Sequence, residues 1–166
     1  IKYTTLSTGI AVEYIEFGAR GGTPLLLLHG LSDSWHSFLP LLPFLPEDIR
    51  ALAFSQRGHG QSGKPRSGYG LDSLVRDAVA FLDAMRIDRA VIAGHSMGAA
   101  VAALLAARHP HRVASLGLLG AFADFRFNAG VIELKQDAQR LVDPIDPDFA
   151  RAFQASTIIR MDDDEF

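Results

Sequence analysis

Four short apolar runs constrain the fold of this chain more than any other feature of its sequence. They are Leu25–Leu28, Ile49–Phe54, Ala90–Ala93 and Val113–Leu119. A run that stays apolar at every position is typical of a strand covered on both faces, as in a parallel sheet. The first 18 residues instead alternate apolar and polar side chains, which predicts a β-hairpin that turns near Thr8 and Gly9.

Helical patterns separate these runs. Trp35 to Leu45 is a short pattern broken by prolines, Leu71 to Met85 has apolar residues at helical spacing, and Met97 to Arg108 ends just before Pro110. Strands that alternate with helices in this way predict an α/β fold, with a mostly parallel sheet and helices on both of its faces.

The character of the sequence changes after Leu119. An amphipathic helix is predicted from Val131, Leu134, Ala138 and Leu141, and a second helix begins at Asp146 and Pro147, with Phe149 and Phe153 one turn apart. Two such helices without a strand between them are typical of a lid. We therefore expect a core domain over residues 1–122 and a partial helical lid over residues 123–166.

Composition excludes several classes of function. The chain has 166 residues, a formal net charge of −3 and no cysteine. The charge gives no support to nucleic-acid binding, and the missing thiols exclude disulfides and thiolate metal sites.

No run is long enough to cross a bilayer and no signal peptide is visible, so we expect a cytoplasmic protein without a membrane partner. The acidic tail, residues 161–166, lacks ordered ligand spacing and predicts a solvated end rather than a metal site.

One serine lies where a buried strand meets a helix. The turn consists of Gly94, His95, Ser96, Met97 and Gly98. A serine hydroxyl becomes a nucleophile when a base accepts its proton and N–H donors stabilise the resulting oxyanion. A sharp strand-to-helix turn lifts the hydroxyl above the sheet and aims the Met97 N–H at that charge, but it leaves no room for a Cβ at Gly94 or Gly98. Ser96 is therefore the predicted catalytic nucleophile, and the alternative is a helix-capping serine in an ordinary turn.

A second signal follows the first apolar run, where His29, Gly30 and Leu31 form a short loop. If the first and third runs are neighbouring strands, this loop faces Ser96. The Leu31 N–H would then join the Met97 N–H in an oxyanion hole. Gly30 permits the turn, and His29 is predicted to shape the loop through hydrogen bonds rather than to act as the base.

The segment from Gly58 to Gly63 fits the G-x-G-x-x-G pattern of dinucleotide-binding proteins. That motif requires a helix to begin at its last glycine, whereas Pro65 disfavours helix here. We therefore predict no dinucleotide cofactor and a structural role for His59.

With these residues the chain resembles an α/β-hydrolase of the lidded branch that includes haloperoxidase-like esterases, enol-lactonases and carbon–carbon bond hydrolases. The matching segments are LLLLHGLSDSWHSF, ALAFSQRGHGQSGKP, VIAGHSMGAAVA and LGLLGAF. The resemblance implies that Ser96 is the nucleophile and that Leu31 and Met97 are the oxyanion donors. It also sets the chain apart from the epoxide hydrolases and haloalkane dehalogenases of this fold, which use aspartate at the position of Ser96.

The sequence departs from this family in its remaining catalytic groups. In the family the acid and then the histidine follow the serine along the chain. Only His109 and His111 lie downstream, and a helix from Met97 to Arg108, about 18 Å long, separates them from Ser96. Asp124 is a candidate for the acid, with a plain loop aspartate as the alternative. Since the first residue is not Met and the base is missing, we expect a piece of a longer hydrolase, and a reduced version of the fold is the alternative.

The predicted function is that of a serine hydrolase without metal or organic cofactor. It would cleave an ester, lactone or similarly activated carbonyl of a small molecule through an acyl-enzyme on Ser96. The lid phenylalanines would line the pocket, unless they are ordinary core; they are Phe122, Phe125, Phe127, Phe149 and Phe153. The alternative is a non-catalytic module that binds an apolar small molecule or a partner chain.

Overall fold

A computed structural model describes residues 1–121, 132, 136 and 146–156 of the chain. The chain divides into two compact units, Ile1–Phe122 and Ala123–Phe166. The first unit carries all the strands described here. The interpretation of the second unit as a lid stays a prediction.

A six-stranded sheet, in the order β1-β2-β4-β3-β5-β6, organises the first unit. Its strands are β1 (Lys2–Thr5), β2 (Ala11–Gly18), β3 (Thr23–Leu28), β4 (Ile49–Phe54), β5 (Ala90–His95) and β6 (Val113–Leu119). The strands β3, β4, β5 and β6 are parallel to one another, and the β1–β2 hairpin is antiparallel to β4. The predicted α/β fold with a mostly parallel sheet is therefore confirmed, as is the N-terminal hairpin.

Strand β3 lies at the centre of the parallel part. It pairs with β4 on one side and with β5 on the other, and Leu28 lies opposite Gly94. This register brings the loop after β3 next to the loop after β5. The apolar run that predicted β5 ended at Ala93, whereas the strand continues to His95.

Two α-helices cover one face of the sheet, α1 (Leu71–Ala84) and α2 (Met97–Arg108). Their buried side chains pack on alternate residues of the strands, and this core cluster includes Phe81, Val101, Leu105, Leu26, Leu52 and Ile92. The spacing of apolar residues predicted both helices to within one residue.

A smaller cluster covers the other face, formed by Leu25, Leu27, Trp35, Leu42, Ala51 and Ala53. The proline-broken pattern forms two 3₁₀ helices here, Trp35–Phe38 and Leu42–Phe44, rather than one α-helix. Pro40 and Pro43 have no N–H to donate to a preceding turn, which prevents a continuous α-helix. Helices α1 and α2 therefore lie on one face of the sheet, and the 3₁₀ helices at Trp35 and Leu42 lie on the other.

The second unit is described for one helix, α3 (Pro147–Ser156). The Asp148 N–H donates to the Asp146 carboxylate (2.8 Å), as expected of a helix start. The Phe149 and Phe153 rings stack 6.5 Å apart. Both features agree with the helix predicted from Asp146 and Pro147. Of the helix predicted over 131–141, only residues 132 and 136 are described, and both are helical. Asp124 and the acidic tail lie outside the described residues.

None of the helices in the described ranges is long and apolar enough to span a membrane.

Candidate active site

Ser96 occupies the tight turn between β5 and α2. Its φ of 51° lies in the left-handed region of backbone conformation, which residues other than glycine rarely adopt. The Ser96 N–H donates to the Leu119 carbonyl of β6 (2.9 Å), and its own carbonyl accepts the Ala99 and Ala100 N–H groups at the start of α2. These bonds hold the strained backbone from both sides.

Gly94 and Gly98 leave no space for side chains in this turn. A Cβ added at Gly94 would overlap the Gly98 carbonyl and lie 2.6 Å from the Ala99 nitrogen. A Cβ added at Gly98 would overlap the Leu28 carbonyl and lie 2.7 Å from the His29 oxygen. The steric requirement argued from the sequence is thus present, and α2 approaches β3 at backbone distance.

The loop after β3 abuts this turn, as the pairing of β3 with β5 requires. A Cβ at Gly30 would lie 3.1 Å from the His95 ring nitrogen Nδ1 and 3.5 Å from the Ser96 Cβ. His95 itself is exposed and points away from the core. The Leu31 side chain is 40% exposed. Neither the Leu31 nor the Met97 N–H donates a hydrogen bond within the described part of the chain.

His29 is fully buried behind this loop. Its Nδ1 bonds to the Gly30 carbonyl (2.7 Å), and its Nε2 accepts the Gln56 N–H (2.9 Å). Burial lowers the pKa of His29 to about 4, so the ring is neutral near pH 7. A neutral imidazole with both nitrogens bonded in this way is not free to act as a base, which agrees with the structural role predicted for it.

Gln56 is a residue that the sequence reasoning missed. It follows β4 and is 1% exposed. In addition to its backbone bond to the His29 ring, its side-chain Nε2 donates to the His29 carbonyl (2.9 Å). The available signal was a long polar side chain directly after a buried parallel strand, where the carboxyl ends of neighbouring strands meet.

The rest of the loop after β4 is held by a buried carboxylate, Glu13. It accepts the Ser55 hydroxyl and the Gln61 N–H, each at 2.8 Å. Burial acts to raise the Glu13 pKa, but these hydrogen bonds outweigh burial and keep the pKa below its ordinary value. No helix begins at Gly63, as Pro65 led us to expect, and the next helix starts at Leu71. The His59 ring packs against the ring of His29 at 4.9 Å.

The chain matches a known family model over residues 23–156, and that model is described as the alpha/beta hydrolase fold. The chain belongs to the α/β-hydrolase family.

Curated relatives of this chain carry different activities in their names. It is 40% identical over 67% of its length to a dihydrolipoyllysine-residue acetyltransferase component of the acetoin cleaving system of Pseudomonas putida, of which it covers 30%. It is 36% identical over 70% of its length to a non-heme chloroperoxidase of Streptomyces lividans, of which it covers 43%. It is 33% identical over 66% of its length to human epoxide hydrolase 4, of which it covers 31%. The chain thus spans less than half the length of these relatives.

A solved structure extends the similarity further along the chain. The enol-lactonase of Burkholderia xenovorans LB400 superimposes with a TM-score of 0.71 at 23% identity, over 93% of this chain and 64% of that one. This likeness shows the fold.

The two histidines downstream of Ser96 in the chain lie far from it in the structure. They follow α2, and β6 begins at Val113, which pairs with Ala90 at the start of β5. His95, next to Ser96, lies at the other end of that strand opposite Leu119. His109 and His111 therefore lie at the opposite end of these strands from Ser96, as the helix length predicted. Within the described ranges, no group of three or more ligating side chains is arranged to hold a metal ion.

Proposed function

We propose that this hydrolase acts on an ester, lactone or similarly activated carbonyl through an acyl-enzyme on Ser96. The observation that carries the proposal is the backbone of Ser96, held at a φ of 51° between two glycines that admit no Cβ. A backbone strained in this way costs about 1–3 kcal/mol, and such strain is common at functional sites. A serine that only capped α2 would need no such conformation.

The proposed reaction begins with attack of the Ser96 hydroxyl oxygen on the substrate carbonyl carbon. The hydroxyl proton passes to a base, and the carbonyl oxygen becomes an oxyanion. The N–H groups of Leu31 and Met97, which donate no hydrogen bond within the described part of the chain, would donate to it. One such donor lowers the barrier by roughly 3–4 kcal/mol. Collapse of the intermediate breaks the bond to the alcohol oxygen, which takes up the proton from the base, and leaves an acyl-Ser96 ester. Water then cleaves this ester to a carboxylic acid and free Ser96.

The residue type at position 96 distinguishes this chemistry from epoxide opening. Opening of an epoxide by an enzyme carboxylate forms an alkyl-enzyme ester. Water can later attack the carbonyl carbon of that ester and release the enzyme. Serine would form an ether instead, which water does not cleave readily. The proposal therefore follows the acyl-transfer relatives rather than the epoxide hydrolases.

A fluorophosphonate probe tests this function in the complete gene product. We expect it to label the wild-type protein at Ser96 and to leave Ser96→Ala unlabelled, with both proteins folded by circular dichroism. Equal labelling of the two proteins, or none of the folded wild type, would contradict the proposal.

The position of His109 and His111 favours one alternative, a module that binds an apolar small molecule or a partner chain without turnover. Such a module would bind ligand equally well with serine or alanine at position 96. Hydrolysis of a p-nitrophenyl ester by the wild type, abolished in Ser96→Ala, would exclude it.

A further inference from the structure

The direction of the Leu31 N–H is decided by the peptide group that joins Gly30 to Leu31. In a trans peptide the C=O and the N–H lie in one plane and point in opposite directions. The Gly30 carbonyl is bonded to the His29 Nδ1 at 2.7 Å. Whatever holds that carbonyl also aims the Leu31 N–H.

The His29 ring holds the carbonyl only if its proton is on Nδ1. A neutral imidazole carries one N–H and one acceptor nitrogen. Because the Nε2 accepts the Gln56 N–H at 2.9 Å, the proton is on Nδ1, which donates to Gly30. The backbone of Gln56 therefore selects the tautomer that aims the Leu31 amide.

The Gln56 side chain acts on the preceding peptide group. Its Nε2 donates to the His29 carbonyl at 2.9 Å. On its far side, the same carbonyl lies against α2, where a Cβ at Gly98 would be 2.7 Å away. The peptide group between His29 and Gly30 is thus fixed between Gln56 and the first turn of the helix that carries Ser96.

The burial of the Gln56 side-chain amide costs folding stability, so stability alone does not explain why glutamine occupies this position. Gln56 is 1% exposed, and its Oε1 is buried without a hydrogen-bond partner in the described part of the chain. A buried unpaired oxygen destabilises the folded state, whereas an apolar side chain of similar shape would avoid that cost. Compared with such an apolar side chain, the amide provides one additional interaction, the hydrogen bond that it donates to the His29 carbonyl.

We propose that Gln56 is a positioning residue which, through His29, aims the Leu31 N–H at the reacting carbonyl oxygen. The proposal rests on the serine-hydrolase function above. It assigns to Gln56 alone, at the start of the loop after β4, a part in the oxyanion hole.

Two isosteric substitutions test this role in the complete gene product. Gln56→Met removes the donor, and Gln56→Glu replaces it with an acceptor that repels the His29 carbonyl. We expect kcat for an activated ester to fall roughly 10- to 100-fold with KM unchanged, since a displaced catalytic group costs up to about that factor. The matched controls are Gln61→Met and Gln61→Glu at an exposed side chain, which should leave kcat unchanged.

A measurement independent of catalysis follows the Leu31 amide itself. In protein carrying isotope-labelled leucine and histidine, the Leu31 amide resonance and the His29 Nδ1–H resonance should shift in both Gln56 variants and stay constant in the Gln61 variants. An unchanged Leu31 resonance, or a kcat of Gln56→Glu equal to that of the wild type, would overturn the proposal. If the wild type fails to label at Ser96, the hydrolase function is contradicted, while the Leu31 resonance still decides whether Gln56 positions the loop.

Discussion

At the scale of the residue, two glycines hold positions that alanine cannot occupy. Gly94→Ala would drive its methyl group into the Gly98 carbonyl, and backbone atoms cannot rotate away as side chains do. We expect the free energy of unfolding to fall by about 3 kcal/mol, the upper part of the range for overpacking. Urea denaturation of the wild type and of Gly94→Ala measures this difference in the free energy of unfolding.

The matched control for this substitution is Gly21→Ala. No atom lies within 4 Å of a Cβ added at Gly21, and its φ is ordinary. Its stability should stay the same or rise by about 0.4–1 kcal/mol through the unfolded state. A loss at Gly94 no larger than the change at Gly21 would show that the turn relaxes readily.

The buried His29 predicts a pH dependence of stability. Burial lowers its pKa to about 4, and His59 lowers it further, while the hydrogen bond to the Gly30 carbonyl and the charge of Asp33 oppose this in part. Between pH 6.5 and 4 the unfolded chain therefore binds a proton that the folded chain does not, so stability falls as pH falls through this window. From the values 6.5 and about 4 we expect a loss of about 3 kcal/mol.

Denaturant unfolding at pH 7 and pH 4 measures this loss. His29→Gln serves as the reference, because glutamine keeps one donor and one acceptor but does not titrate. The wild type should lose about 3 kcal/mol more than the variant. Parallel loss in both proteins would assign the effect to other groups, such as Glu13 and Glu16, whose pKa values are also lowered.

The sequence predicted the Ser96 turn because all its requirements are local. The strand, the helix and the two glycines lie within a few positions of one another. Together they indicate a turn that is too tight for side chains on either side of Ser96. Gln56 was missed because its partner, His29, is 27 positions away, and nothing in a polar side chain shows whether its neighbours in space are donors or acceptors.

At the scale of the element, one ion pair ties the loop after β4 to helix α1. The Arg57 guanidinium binds both carboxylate oxygens of Asp77, at 2.5 and 2.6 Å, and Asp77 also accepts the Thr8 hydroxyl. Asp77 is 1% exposed. Asp77→Asn would leave the Arg57 charge nearly buried and unpaired, so we expect the free energy of unfolding to fall by about 3–5 kcal/mol.

The same helix offers a matched pair at its surface. Asp72 binds Arg108 at 2.7 Å, but the two side chains are 68% and 48% exposed. Solvent screens this pair, and Asp72→Asn should cost less than about 1 kcal/mol. Chemical denaturation of both variants compares them, and equal losses would refute the distinction between buried and exposed pairs in this protein.

The elements could be predicted where periodicity is unambiguous. Strand β6 and helix α2 have the bounds predicted for them. A run of apolar residues indicates a buried strand and helical spacing indicates a helix, so the two patterns are not confused. The 3₁₀ helices at Trp35 and Leu42 could not be predicted from a pattern that prolines interrupt every few residues. Spacing predicted parallel strands but not their order, which depends on contacts between segments far apart in the chain.

At the scale of the whole molecule, the last strand of the described sheet, β6, is apolar. Within the described residues β6 pairs only with β5, and its Leu116, Leu118 and Leu119 side chains are 38, 44 and 56% exposed. An open edge of this kind invites pairing between copies. We expect the 166-residue chain, expressed alone, to self-associate, and the double substitution Leu116→Lys and Leu118→Lys to reduce that association.

Light scattering at several protein concentrations measures this association. Tyr3→Lys is the control, since Tyr3 is 63% exposed on β1 at the opposite edge of the sheet. A control that lowers self-association as much as the β6 substitutions would place the contact elsewhere.

The left-handed backbone of Ser96 has a consequence for engineering. Glycine adopts that conformation without steric conflict, so Ser96→Gly would relieve the strain and raise the melting temperature. A library screened for heat resistance alone would therefore enrich variants that have lost the hydroxyl. Directed evolution of this protein would need selection for turnover in every round.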